Sequence, residues 1–416
     1  MNTIQRLWRG SGVMILTGSA ALLGVAITST SVTPVLASSR SEGPSSVPTL
    51  YVSTHGTDGD NTCTNPGSPC LTIGHAVTVA PTGATIKVEP GTYTNTSPTG
   101  IDLFKPVTVE AVGNVAITGI GPIFNLYNTS NPYAGVTNVT ITGFHFENVT
   151  GTSYNGVITV PGFGAGDVTV KNNRFTNNSQ EAIGYHGNNG LTAPLGTGWK
   201  IVGNTVLDIT QAGHSGMWLG GLSDSVIARN VIVNTQHAGI LLTANGPTPP
   251  SNNNNKIVQN RVRDVPYEGI QVAYGNGILV RANVITDAGT AGTLPANPAA
   301  SSTSAIMLFN ADQTNITVVH NTASNSFNGF AIGQPPYSGS GVLGSGIVVM
   351  GNNFTNETNT GVADYAPAGS APLNAMLNWW GCKAGPGAAG CSTVTGNVNY
   401  TPWLMHPANV RLAGMM

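Results

Sequence analysis

The chain has 416 residues with 15 Lys+Arg against 17 Asp+Glu, a formal charge of −2, and only 8% charged side chains. Low net charge with 40% hydrophobic residues excludes intrinsic disorder, and 54 glycines without an every-third-residue period exclude collagen. The absence of net positive charge argues against a nucleic-acid partner.

At the amino terminus, Arg6 and Arg9 precede an apolar stretch from about Val13 to Ile27, and Pro34 precedes the small-residue run Val35-Leu36-Ala37. This pattern predicts a signal peptide over residues 1–37, followed by a Ser/Pro-rich linker over 38–48. A membrane anchor is the alternative, but the stretch is short, holds Gly18, Ser19 and Gly24, and lacks a stop-transfer charge cluster. No later apolar run is long enough to span a bilayer. The expected product is a secreted monomer.

Cys63 and Cys70 lie near the start, and Cys382 and Cys391 near the end. Two local pairs in an exported chain read as two small disulfide loops, with free thiols or a zinc site as alternatives. Between Leu71 and Ala80, apolar Leu71, Ile73, Ala76, Val77 and Ala80 predict a short amphipathic helix as an amino-terminal lid.

A repeat follows. Aligning Asn173, Asn204, Asn230, Asn260, Asn283, Asn321 and Asn352 brings Val170, Ile201, Ile227, Ile257, Val280, Val318 and Val349 into one column three residues earlier. Two residues later stand Phe175, Val206, Ile232, Val262, Ile285, Ala323 and Phe354. Four later stand Asn177, Asp208, Asn234, Asp264, Asp287, Asn325 and Asn356. After a variable gap, a Gly/Ala column (Gly156, Ala182, Gly216, Gly239, Gly269, Ala305, Gly329, Gly361) opens an apolar alternation. Val157, Ile183, Met217, Ile240, Ile270, Ile306, Phe330 and Val362 are expected inward, then Thr159, Tyr185, Leu219, Leu242, Val272, Leu308, Ile332 and Asp364. Short strands at a period of 23 to 38 residues define a β-solenoid, and the handedness of parallel connections makes it a right-handed parallel β-helix of three-sided rungs. The Asn column is expected to stack as an amide ladder. Long insertions fall at 187–197, 244–255 and 288–303. The solenoid is predicted over 49–404, with an N-cap over about 49–82, an aromatic, disulfide-pinned C-cap over about 374–404 containing Trp379, Trp380, Tyr400 and Trp403, and a tail over 405–416.

The opening Tyr51-Val-Ser, Gly56, Asp58, Pro69-Cys70, Thr72-Ile73 and Pro90-Gly-Thr-Tyr93 resembles the start of secreted right-handed parallel β-helix repeat proteins of the pectin-lyase-like fold. Asn378-Trp-Trp-Gly381, Gly385-Pro386 and Tyr400-Thr-Pro-Trp403 resemble their closing segment. The resemblance implies the fold and no particular activity, because the fold carries lyases, hydrolases, esterases, epimerases and adhesins. Polygalacturonase, pectin methylesterase and alginate epimerase motifs do not match. Tyr185-His186-Gly187 lacks the hydrolase carboxylates, and Asn95 stands where the esterase pattern has Glu.

Just before the Gly/Ala column, His214, His237 and Tyr267 fall on neighbouring coils, with Glu181 and Glu268 one residue nearer the strand. This is the densest titratable group in the chain and a candidate for acid–base chemistry; a polar turn stack is the alternative. Glu181 and Glu268 lie three coils apart, about 14 Å at ~4.8 Å per coil, too far for a glycosidase pair. Asp264 and Asp287, with Asp208, stand in one column as a weak calcium candidate, or simply as Asp in place of turn Asn with Arg261, Arg263 and Arg281 as counter-charges. Outward positions Trp218, Leu241, Gln271, Met307 and Phe309, with His186, offer an apolar strip suited to sugar rings unless the insertions cover it.

The functional expectation is a secreted solenoid that binds extracellular or cell-surface polysaccharide, or acts as an adhesin-like surface module. The alternative is a polysaccharide lyase or glycoside hydrolase at His214/His237/Glu268. An enzyme should expose His214 and His237 at a groove floor; a binder should expose Trp218 and Phe309 over buried titratable groups. With so few charges, stability should vary little with pH.

Overall fold

Alternation of apolar and polar residues gives each short strand one buried side, and a single such strand cannot bury it alone. The chain therefore stacks coil on coil. The computed structural model describes residues 47–127, 135–151, 156–160, 164–185, 196–243, 252–291, 303–333 and 342–410. The predicted signal peptide and most of the linker and of the long insertions lie outside them. Three long parallel sheets run the length of the solenoid, in which each strand pairs with its counterpart one coil away. Sheet A has 13 strands, from Thr49–Val52 to Val398–Asn399; sheet B has 10, from Gly91–Asn95 to Asn353–Thr355; sheet C has 11, from Ile101–Asp102 to Val394–Thr395. A fourth sheet, D, of six two-residue strands from Val136–Thr137 to Gly275–Asn276, adds a side to the middle coils. The expected three-sided rung is thus four-sided there. The result is a right-handed parallel β-helix.

The aligned apolar columns are the registers. In sheet A, Val170, Ile201, Ile227, Ile257, Val280, Val318 and Val349 pair in succession. In sheet B, Phe175 through Phe354 do the same. All are fully buried or nearly so, and rings stack within the core, as Phe146 does on Phe175 at 4.9 Å. In sheet C one rung departs from the expected alignment: Ile158, not Val157, pairs with Ile183, and Val160, not Thr159, with Tyr185. Val157, Ile158, Thr159 and Val160 are all buried, so alternation gives no register there. Gly216 illustrates the Gly/Ala column: a Cβ would lie 2.7 Å from the Gly239 carbonyl oxygen of the next coil.

The asparagines form one continuous ladder. From Asn204 to Asn352, Oδ1 accepts the backbone N–H and the Nδ2 of the previous coil's Asn, as Asn260 does from Asn230 at 3.0 Å each. Its Nδ2 donates to the next coil's Oδ1 and back to a strand carbonyl, as Asn260 does to Asn283 at 3.0 Å and Ile227 at 2.9 Å. The file runs from the Phe144 amide through Asn173 to Asn378, one coil further than the aligned column. The column four residues later is a left-handed turn, with φ between 53° and 62° from Asn177 to Asn356, which explains why only Asn and Asp occupy it. A second such column lies six residues before the ladder: Asn138, Asp167, Gly198, Asp224, Asn254, Gly277, Asn315 and Gly346. Its constant offset was readable in the sequence and was not read.

At the amino end, α1 (Ile73–Val79) buries Ile73, Ala76 and Val77 against the first coils, while Leu71 stays 43% exposed, outside the helix rather than on its apolar side. Thr72 caps it, and Asp58 accepts the amides of Leu71 and Thr72 and the Thr72 hydroxyl. Burial pushes the Asp58 carboxyl up, but these hydrogen bonds and His75 together bring it below its ordinary value. The disulfides join Cys63 to Cys70 and Cys382 to Cys391. At the other end Trp379 and Trp380 are buried, and Trp403 donates its indole N–H to the Lys383 carbonyl. Among the described residues, no helix is long and apolar enough to cross a membrane.

Candidate functional site

The turn entering sheet C carries two adjacent columns. Two residues before the Gly/Ala position stand Gln180, His214, His237 and Tyr267; one residue before it stand Glu181, Ser215, Ala238 and Glu268. The coil rise links these columns diagonally. Glu181 Oε2 meets His214 Nδ1 of the next coil at 2.9 Å, and Ser215 Oγ meets His237 Nδ1 of the coil after that at 3.1 Å. Ser215 Oγ also accepts the Ala238 amide at 3.3 Å. On the third step Ala238 offers nothing polar, and His237 packs on the Tyr267 ring at 4.8 Å between centroids. On its other side His237 stacks with Trp218 at 6.5 Å and 18°.

Burial divides this group into a floor and an outer row. Glu181, His214, Ser215 and Glu268 are at most 3% exposed, whereas His237, Tyr267 and Trp218 are half-buried. Glu181 Oε1 has no hydrogen-bond partner among the described residues. Burial pushes the His237 imidazole below its ordinary value; the Glu181 carboxylate opposes this and His214 adds to it. His237 is thus held toward its neutral form, with a ring face set between two aromatic neighbours.

His214 is therefore not at an exposed groove floor: the Glu181 contact draws it inside, where two desolvated partners require each other. Leu241 and Met307 correct the expected outward strip as well. Both are buried, Met307 in a small cluster with Ala331 and Ala363 against which Tyr365 packs, so the strip is broken. Trp218, Gln271 and Phe309 are half-buried on the outer side of sheet C, and Gln271 pairs between Leu241 and Met307. His186 lies outside the described residues. Ser215 was missed, although it shares a column with Glu181 and Glu268. Asp208, Asp264 and Asp287 all take the left-handed turn conformation. Asp208 accepts from Asn234 at 2.7 Å, and Arg263 pairs with Asp264 at 3.3 Å. Among the described residues, Cys63, Cys70 and His75 come close enough together to ligate a metal, but the two sulfurs are spent on their disulfide. A separate open groove of about 420 Å³ lies by the N-cap, lined by Thr72, Thr92, Tyr93, Asn95 and Ile101 among others.

The sequence matches the family described as right handed beta helix region over residues 112–285 and 196–366, together more than half of the chain. No curated protein matches it by sequence. Among solved structures, a tailspike protein double mutant of E. coli bacteriophage HK620 in complex with a pentasaccharide superposes with a TM-score of 0.53 at 14% identity, over 78% of this chain and 60% of that one. A GH136 lacto-N-biosidase from Eubacterium ramulus gives 0.51 at 11% identity, over 86% and 68%. The pectate lyase Pel9A gives 0.44 at 14% identity, over 86% and 79%.

Proposed function

The chain belongs to the right-handed β-helix family, and from that premise we propose that it is an exported protein that binds polysaccharide along sheet C. One observation carries the reading: Trp218, His237 and Tyr267 lie side by side on three successive coils, half-exposed, over a hydrogen-bonded polar floor. Half-exposed aromatic rings at a spacing of about one sugar unit, with Gln271 and Phe309 also half-buried on the outer side of sheet C, suit apolar contact with a pyranose, and adjacent polar groups fix its hydroxyls. The likeness to the tailspike and the biosidase concerns the fold, and the ligand class is argued from the row itself. Two disulfides accord with an extracellular address, and the amino-terminal signal belongs to the same proposal. Affinity electrophoresis through gels containing neutral polysaccharides, or acidic ones at a salt concentration that suppresses charge-driven retention, tests the reading. Retardation of the wild type, abolished by Trp218→Ala and Tyr267→Ala with unchanged circular dichroism, supports it. Equal retardation of all three proteins overturns it.

The second reading is a lyase or hydrolase, favoured by His237, which burial pushes toward its neutral form, which is half-exposed and which meets Ser215 at 3.1 Å, as a general base could. On this reading wild-type protein generates ultraviolet-absorbing unsaturated product or reducing ends, and His237→Ala abolishes the activity.

A further inference from the structure

Five successive eight-residue segments around the ladder corner, 169–176, 200–207, 226–233, 256–263 and 279–286, contain no Asp or Glu. They hold Lys171, Arg174, Lys200, Arg229, Lys256, Arg261, Arg263 and Arg281, eight of the chain's 15 Lys+Arg. Every one of the eight is exposed. Lys171, Arg174, Arg229, Arg261 and Arg281 stand within two residues of their ladder asparagine, so they line the edge where sheets A and B meet. The coils rise ~4.8 Å each, so this edge runs straight for about 19 Å. His145 and His320 continue it by one coil at either end. The nearest acids on these coils stand back in the two left-handed turn columns: Asp208, Asp264 and Asp287 on one side, Asp167 and Asp224 on the other. Arg263 is the one member with an ion pair described, to Asp264. Arg229 is itself in the left-handed conformation, at φ 54°, where Gly203 and Gly351 serve the same corner on other coils. An arginine there costs about 1–2 kcal/mol that glycine avoids.

We infer that this edge is a binding site for a linear acidic polysaccharide, carrying carboxylates or sulfate esters, laid along the solenoid axis. Cations on four of five successive coils at one edge, with Lys200 set back on the fifth, complement an extended polyanion with charges spaced along its chain. Within the five segments the outward neighbours, among them Val202, Leu207, Val226, Val231 and Val258, include no aromatic ring, so this edge lacks the stacking platform a single-stranded nucleic acid uses. The site lies on a different face from the Trp218–His237–Tyr267 row and does not rest on that row binding sugar.

The test is retention of the intact protein on immobilised polygalacturonate and dextran sulfate, with neutral dextran and duplex DNA alongside. Retention on either polyanion that falls with salt, with none on dextran, supports the site. The variant Arg229→Gln/Arg261→Gln/Arg281→Gln should then bind at least tenfold more weakly, with its log–log salt slope reduced by about two. Arg229→Lys/Arg261→Lys/Arg281→Lys should restore binding. Lys383→Gln, at an exposed cation outside these segments, should leave it unchanged. Arg261→Glu, at an exposed strand position, reads the same direction should the triple variant melt early. Failure of both polyanions to retain the wild type, equal retention of the triple variant, or tighter retention on DNA than on either polysaccharide overturns the inference.

Discussion

Three ionisable side chains give the protein opposite responses to pH: two carboxyls in one direction and a histidine in the other. Burial pushes the Glu357 carboxyl up to about 7, against the hydrogen bonds it accepts from the Ser392 hydroxyl and the Thr355 amide. Asp364, inward-facing at the end of sheet C, is raised for the same reason. A carboxyl raised in the folded state stabilises fully below its ordinary value and loses that contribution as pH rises through the folded value. His237, lowered, contributes above the ordinary histidine value of 6.5 and loses that contribution on acidification. Thermal melts of Glu357→Gln should therefore show a flatter decline from pH 5 to 8 than the wild type, with a higher midpoint at pH 8; an unchanged slope would refute this. Removing one member of the buried pair tests the site floor. Glu181→Ala removes the buried carboxylate that His214 Nδ1 meets at 2.9 Å, and urea unfolding should show a loss of about 3 kcal/mol. The candidate group was legible because its members share columns with fixed offsets from the Gly/Ala position. Which of them point inward was not, since a turn has no two-residue period to separate floor from surface.

At the scale of the repeat, hydrogen bonding and backbone conformation separate cleanly. Each interior ladder amide makes four buried hydrogen bonds, so Asn260→Ala leaves the Asn230 backbone N–H without its acceptor and takes one bond each from the Asn230 Nδ2, the Ile227 carbonyl and the Asn283 Oδ1. Its cost should be on the order of 3 kcal/mol or more in denaturant unfolding. Asn325, at φ 53° and exposed, is held for its conformation instead, so Asn325→Gly should cost a few tenths of a kcal/mol and Asn325→Val more than 1 kcal/mol. Equal effects at the two positions would contradict the separation. In sheets A and B the coils from Asn173 to Asn352 were readable to the residue, because one buried column per strand fixes the register. Sheet D was not, because its strands are two residues long and carry no alternation.

Over residues 47–410 the solenoid sorts charge and rings by face. A net charge of −2 conceals this sorting, because the turn columns draw Asp for its left-handed backbone while Lys and Arg gather at the ladder corner. Composition alone therefore understates what the surface can bind. Sheet C's outer side presents the rings, the A–B edge presents the cations, and the stacked amides hold both at a constant rise. The most direct measurement is a crystal structure of the protein with a bound oligosaccharide from whichever polysaccharide retards it. Pyranose rings lying over Trp218, His237 and Tyr267 are the predicted result. Sugar density confined to the N-cap groove, or to sheet faces lacking these rings, would contradict the proposed binding face.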